Sequence, residues 1–231
     1  MNNELMHYGV LGMKWGIRRY QNPDGTLTPE GKKRYRDGKV NTLANDVYRI
    51  AKEKEKKITE DVSKAADAAN TNLYMLGNRL KTQESIARKI EKISEEKGVT
   101  YEEASHIKDA VRYTSVTSNS DFVNSYNKMK AALESKGYTE SRCKNYFEQY
   151  KQGLVKHKSV TSNFIDPDGY EFEIQFHTFS SQSAKDKKTP IYEERRNVNI
   201  SKDRAEYLEK QMVALAEKVP YPKNIDQIKS H

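Results

Sequence analysis

Asp166-Pro-Asp-Gly-Tyr-Glu-Phe-Glu-Ile-Gln-Phe-His-Thr178 opens with a turn signal and continues in strict alternation. Asp-Pro-Asp-Gly is a turn by composition, with proline presetting one dihedral and glycine free to take positive φ. Beyond it Tyr170, Phe172, Ile174 and Phe176 fall on one face of a strand, and Glu171, Glu173, Gln175 and His177 on the other. The first face is a core face. The second is a row of carboxylates, an amide and an imidazole, which suits metal or nucleotide chemistry; a solvated strand face would carry the same types.

Working outward, residues 156–165 read as extended, and the turn makes them the antiparallel partner of 170–178. Residues 142–149 read as extended too, and Ala110–Thr117 is a β-branched and aromatic strand. Between the strand groups, Ser120 caps an amphipathic helix carrying Phe122, Tyr126, Met129 and Leu133, which Gly137 ends; over about 121–136 it is a crossover. Thr82 caps a helix with Ile86, Ile90 and Ile93, and Thr100-Tyr-Glu-Glu103 is a capping box. Ser201 caps a last helix that stops before Pro220, and residues 220–231 read as a loosely held tail. The order helix, strand, helix, strands, helix predicts an α+β (α/β-like) domain, a mixed sheet flanked by helices, over residues 75–219.

Ahead of it, residues 41–74 form a helix and linker with a narrow stripe of Leu43, Val47, Ile50, Ile58, Val62, Ala65 and Ala69. The stripe suits a partner helix or a solvated spacer. Residues 1–40 are an extended arm. They hold the only tryptophan, and their eight Lys/Arg against four Asp/Glu supply half of the chain's net charge of +8. Such a segment cannot build its own core, but Trp15 and Tyr20, with Arg18 and Arg19 beside them, make a docking element. The charge favours polyanionic or acidic partners. One cysteine, Cys143, excludes an internal disulfide and a cysteine-only metal site. The chain has no apolar run of roughly 20 residues and no secretory signal, so the expected setting is the bacterial cytoplasm or an assembled particle, without a membrane.

Three groups carry chemistry. Arg79, Lys81, Ser85, Arg88 and Lys89 place cations and a hydroxyl around a helix start, a phosphate-binding pattern, although rows of Lys and Arg on helices also serve as solvated faces. Asp109, with Arg112 three residues on, sits at the mouth of a strand, where an acid can serve Mg²⁺ or merely end a helix. Glu173, Gln175 and His177 form the third. If Glu173 lies across the sheet from Asp109, the pair makes a metal-assisted phosphoryl-transfer site. His177 has no metal-spaced His or Cys partner, which argues against zinc.

Taken in order, five segments resemble the RelA/SpoT-type synthetase domain, and more narrowly its divergent relatives in phage and toxin proteins. They are Arg79-Leu-Lys-Thr-Gln-Glu-Ser-Ile-Ala-Arg-Lys89, Ile107-Lys-Asp-Ala-Val-Arg-Tyr-Thr114, His157-Lys-Ser-Val-Thr-Ser162, Glu173-Ile-Gln-Phe-His-Thr178 and Ile191-Tyr-Glu-Glu-Arg-Arg196. The resemblance implies a pyrophosphokinase that moves the β,γ-pyrophosphate of ATP to a ribose hydroxyl. It implies that Arg79, Lys81, Ser85, Arg88 and Lys89 hold the ATP phosphates. Asp109 and Glu173 would hold Mg²⁺, with Glu173 also activating the acceptor and Gln175 supporting the site. His157, Lys158, Ser159 and His177 would contact the acceptor. The acceptor loop departs from the family, lacking its guanine-stacking Tyr, and Pro190 stands for a family His. A nucleotide and a tRNA end therefore both stay open as acceptors, as does an inactive scaffold.

The first 36 residues, with Tyr8-Gly-Val-Leu-Gly-Met-Lys-Trp-Gly-Ile-Arg-Arg-Tyr20, resemble segments of structural and morphogenesis proteins of tailed phages of Gram-positive bacteria. That implies a phage structural protein as the docking partner and leaves the oligomeric state open.

Overall fold

The computed structural model describes residues 22, 26–195 and 200–231. The docking set Trp15, Arg18, Arg19 and Tyr20 lies outside them. The chain divides into two compact units: residues up to Asp46 with Gln83–His106, and Val47–Thr82 with Ile107–His231.

The first unit is helical. Helix α1 (Pro29–Ala68) begins in it and continues into the second; α2 (Gln83–Lys97) and α3 (Tyr101–Ala104) complete it. The helix start that Thr28-Pro29-Glu30 signals and the helix expected from 41 are one continuous helix from Pro29. The Thr28 hydroxyl accepts from Gly31 N (3.1 Å), and proline occupies the first helical position, where its missing N–H costs nothing. Gly38 sits inside the helix. Thr100 and Glu103 form the expected capping box of α3, and Lys39 pairs with Glu102 at 2.7 Å.

The second unit holds a five-stranded mixed sheet with helices on its faces, as the α+β expectation required. The strands are β1 (Asn72–Leu73), β2 (Arg112–Thr117), β3 (Thr139–Asn145), β4 (Val160–Ile165) and β5 (Glu171–Thr178), in spatial order β1-β2-β5-β4-β3. Only β2 and β5 run parallel. Helix α4 (Phe122–Glu134) carries the chain from β2 past two strands to β3, the expected crossover. Its N-cap is Asp121 rather than Ser120, with the Ser118 hydroxyl accepting from Asp121 N at 3.1 Å. The Asp-Pro-Asp-Gly turn closes β4 onto β5. The Asp166 carboxylate accepts from Asp168 N (2.9 Å) and Tyr170 N (2.7 Å), and Gly169 takes φ +90°.

Phe172, Ile174 and Phe176 of β5 are buried on the core face. Their neighbours meet them edge to face, Tyr113 and Tyr138 on Phe172 (6.0 and 5.8 Å) and Tyr126 on Phe176 (5.0 Å). The second half of α1 packs on this face. Of the stripe read as suiting a partner helix or a solvated spacer, Ile58, Val62, Ala65 and Ala69 are buried core, whereas Ile50 is exposed and Leu43 and Val47 are half-buried. Polar contacts fix its position. Thr59 and Tyr113 hydroxyls bond at 2.8 Å. Asp61 accepts from Lys136 (2.6 Å) and from the Tyr138 hydroxyl (2.9 Å).

Three further expectations are corrected. Residues 146–149, read as extended, begin α5 (Tyr146–Lys151), because the Asn145 side chain accepts from Phe147 N and Glu148 N and starts a helix. A helix that composition did not suggest, α6 (Phe179–Arg195), follows β5 directly, and Pro190, ordinarily a helix breaker, lies within it. The tail after α7 (Lys202–Glu217) is not loose. Ile225 and Ile228 are buried, Asn145 Nδ2 donates to both their carbonyls (2.9 and 2.8 Å), and His231 exchanges backbone bonds with Cys143 on the β3 edge. Cys143 is fully buried. Among the described residues no helix is long and apolar enough to cross a membrane.

Asp61 carries a stability prediction. Burial alone would raise its carboxyl, but bonds from Lys136, Tyr138 and Lys57 outweigh it and hold the group down at about 2 against an ordinary 3.8. Its contribution is therefore complete above pH 3.8 and lost as pH falls toward 2. Asp61→Ala, which strands the buried Tyr138 hydroxyl, lowers stability at neutral pH by about 1–3 kcal/mol in urea titrations. The gap between the two proteins closes as pH falls from about 4 to 2.

Candidate functional site

On the face of the sheet opposite the core, register builds one row of polar residues across four strands. Arg142 of β3 pairs with Asn163 of β4, Asn163 with Glu173 of β5, and Glu173 with Arg112 of β2. Arg142 Nε donates to Asn163 Oδ1 (3.0 Å), and Glu173 N donates to Val111 O (3.1 Å). Glu173 is 8% exposed.

One residue pair further along β5, Gln175 Nε2 donates to Glu173 Oε1 (2.8 Å), and Lys185 Nζ of α6 donates to Gln175 Oε1 (2.6 Å). The amide can stand only one way, its oxygen toward the ammonium and its NH₂ toward the carboxylate. A relay Lys185–Gln175–Glu173 results. Burial, then the nearby Arg112, pushes Lys185 down to about 8. Helix α6 is aimed at this face by its start, where Ser181 N donates to the Thr178 hydroxyl (3.1 Å) and Thr178 N to the Ser181 hydroxyl (2.9 Å).

Glu173 and Gln175 line a cavity of about 560 Å³, walled by α6, α7 and the loop before β4. His157, Lys158, Ser159 and His177 line it too, so the residues expected to contact an acceptor converge with the expected base. His157 lies against Tyr146, ring centres 4.3 Å apart, and stays open to the cavity solvent. Enclosure in the wall, then Lys188 and Lys185, pull its imidazole down, leaving it neutral at pH 7. His177 is buried, with Nδ1 2.9 Å from the Ser181 hydroxyl, and burial followed by Lys185 keeps it neutral. Lys158 is engaged elsewhere: its ammonium donates to Val219 O (2.7 Å) between the rings of Tyr150 and Tyr221 (4.4 and 4.2 Å).

A second cavity of about 540 Å³ shares Lys185 and Thr189 with the first and includes Arg79 and Arg112. The Arg79 guanidinium forks onto Glu55 of α1 (2.6 and 3.2 Å). Residues 79–81 run alongside 110–112, bridged at Leu80 and Val111, with Arg112 N donating to Arg79 O (2.7 Å) and Lys81 N to Ala110 O (2.9 Å). Lys81 and Asp109 pair at 3.3 Å. Asp109 belongs to neither lining; Arg112, not Asp109, is the register partner of Glu173. Ser85, Arg88 and Lys89 are on α2 in the other unit, where Arg88 donates to the Ser85 hydroxyl (3.2 Å).

Sequence reading missed Lys185, Lys188, Arg195, Glu209 and Tyr146, all of which line the first cavity. The signal for the first three was the spacing Lys185, Lys188, Arg195, one face over nearly three turns of helix, obscured by Pro190.

Comparison with known proteins gives one family model, a family of unknown function (DUF7211), matching residues 1–22. No curated protein matches the chain. Among solved structures the chain is similar to small alarmone synthetase 2 from Bacillus subtilis, at 20% identity over 75% of this chain and 91% of that one, with a TM-score of 0.49. It is similar to small alarmone synthetase 1 from Bacillus subtilis bound to its product pppGpp, at 17% identity over 60% and 71% of the two chains, TM-score 0.44. A third is the complex between the Type VI effector Tas1 and its immunity protein, at 16% identity over 83% and 97%, TM-score 0.43.

The position of Lys185 gives a pH signature. The ammonium is charged below about pH 8 and neutral above it. Binding of inorganic pyrophosphate, followed by calorimetry, weakens between pH 7 and pH 9. Lys185→Met weakens it at pH 7 and removes most of the pH dependence; an unchanged profile in that variant contradicts the assignment.

Proposed function

We propose that this protein is a RelA/SpoT-like pyrophosphoryl transferase that moves the β,γ-pyrophosphate of ATP to a hydroxyl of a nucleotide or tRNA, and that it serves a phage or prophage as a toxin-like effector. The observation that carries the reading is the register pair Glu173–Arg112. Adjacent strands lie about 4.8 Å apart, and these two residues line different cavities. Ligands in the two cavities therefore meet at one buried carboxylate. The cavity with Arg79, Arg112 and Lys185 suits a triphosphate; the cavity with His157 and Ser159 suits the acceptor.

Among the described residues no three His, Cys, Asp or Glu side chains form a cage for a cation. The buried Glu173 carboxylate suits Mg²⁺, which takes one or two carboxylates and completes its shell with phosphate oxygens and water. Glu173 would hold it; Asp109, paired with Lys81, lies outside both cavity linings. When bound, Mg²⁺ neutralises phosphate charge. The remaining work falls to the chain. Arg79, Arg112 and Lys185 line the triphosphate up with the acceptor. Glu173 takes the proton from the acceptor hydroxyl as its oxygen bonds to the β-phosphorus; the bond from that phosphorus to the α,β-bridging oxygen breaks, and AMP leaves. Gln175 keeps the carboxylate turned to the hydroxyl, and the enclosing helices keep water from competing.

A second reading, an inactive phage accessory protein that uses the fold as a scaffold, is supported by Lys158, whose cation is committed to Val219 and two tyrosines rather than to a ligand. One assay separates the two. With Mg²⁺ and γ-labelled ATP, the protein places label on GTP, GDP or tRNA and releases an equal amount of AMP. Glu173→Gln lowers the rate by about 10²–10⁴ while circular dichroism stays unchanged. Absence of label on every acceptor, with both proteins alike, selects the scaffold. Independently, deletion of residues 1–36 abolishes co-sedimentation with phage particles and leaves transfer intact; continued co-sedimentation refutes the docking role.

A further inference from the structure

Among the described residues five Lys or Arg side chains line the first cavity against two acids, Glu173 at its inner end and Glu209 of α7. On α6, Lys185, Lys188 and Arg195 lie on the face that lines the cavity, spanning about 15 Å of helix. The inner cation, Lys185, is engaged by Gln175. The outer ones gather around Glu209. Its carboxylate pairs with Lys156 and with Arg195 Nε (2.8 Å), and the Lys188 ammonium donates to Lys156 O (2.6 Å), holding a third cation in the same cluster. Lys156 and Arg195 hold Glu209 below the ordinary carboxylate range, against a partial burial that would raise it. Burial lowers Lys188, and the attraction of Glu209 opposes that shift.

We propose that Lys156, Lys188 and Arg195 form an anion subsite at the outer end of the cavity, that Glu209 occupies it in the ligand-free protein, and that a phosphate group of a bound ligand displaces Glu209. Three cations around one carboxylate leave a surplus of positive charge that a dianionic phosphate neutralises better than a side chain does. Because Lys156 precedes β4, Lys188 and Arg195 belong to α6 and Glu209 to α7, the displacement breaks the ion pairs of Glu209 to both, while Arg204 of α7 stays paired with Glu194 of α6. Glu209 is then an internal competitor: it spares the empty protein the mutual repulsion of the cluster and sets a threshold that weak anions do not pass. The inference rests on the cavity being a phosphate-ligand site, and needs no group transfer.

The test uses the full chain and inorganic pyrophosphate, with affinity read by calorimetry. Glu209→Gln keeps the shape and removes the charge; it binds pyrophosphate at least about threefold more tightly than wild type. Glu206→Gln removes the same charge from the same helix outside the cluster and stays within about twofold of wild type. Lys188→Met weakens binding at least about threefold. Equal effects of Glu209→Gln and Glu206→Gln, unchanged or weaker binding in Glu209→Gln, or wild-type binding in Lys188→Met each overturn the proposal. Failure of pyrophosphoryl transfer with this affinity pattern intact sinks the transferase reading and leaves the subsite standing.

Discussion

A carboxylate taken out of bulk water has to be answered by hydrogen-bond donors and cations. Glu173 is that carboxylate here. Strand β5 is hydrogen-bonded on both sides and buried on its apolar face, so Glu173 has no freedom to swing away from the opposite face. The consequences spread outward from it. Gln175 must present its NH₂ to the acid, which leaves its oxygen for Lys185. Arg112 stands beside Glu173 in register, and Asn163, held by Arg142, stands on its other side. Burial, then the nearby Arg112, depresses Lys185, and α7 brings Glu209 to the outer members of the set. One buried charge thus accounts for much of the polar architecture of this face.

The remainder of the second unit keeps that face in place. The rear of the sheet is closed by α1, whose Ile58 and Val62 are buried and whose Asp61, Thr59 and Glu55 reach Tyr138, Tyr113 and Arg79. Helices of such low apolar content draw their stability from tertiary contacts rather than from propensity. At the opposite sheet edge, the chain's last residues pair with β3 and cover what would otherwise be a row of unpaired backbone groups.

Much of this was legible in the sequence, and the parts that were not share a cause. Strong local signals carried well. The alternation of 170–178, the glycine turn before it, the Thr100–Glu103 box and the Ser201 cap each depend on neighbours within a few residues, and each stands where it was read. Alternation also placed Glu173, Gln175 and His177 on one face before any coordinates. What failed was long-range. The α1 stripe is narrow, and nothing local tells such a stripe from a partner-binding surface or a solvated spacer. No helix was read over Phe179–Arg195, because that helix carries Pro190 and is held by contacts with β5 and α7 rather than by propensity, so Lys185 drew no notice. The tail contains few apolar residues, but Ile225 and Ile228 find a pocket formed by distant segments. Asp109 was joined to Glu173 through spacing along the chain, whereas strand register gives the place beside Glu173 to Arg112.

The central claim is that two ligands meet at Glu173. The most direct measurement is a crystal structure of the full chain grown with Mg²⁺ and a non-hydrolysable ATP analogue. The account predicts the triphosphate along Arg79, Arg112 and Lys185, with metal density against the Glu173 carboxylate. A triphosphate bound away from those three cations, with Glu173 still facing only Gln175, would contradict it.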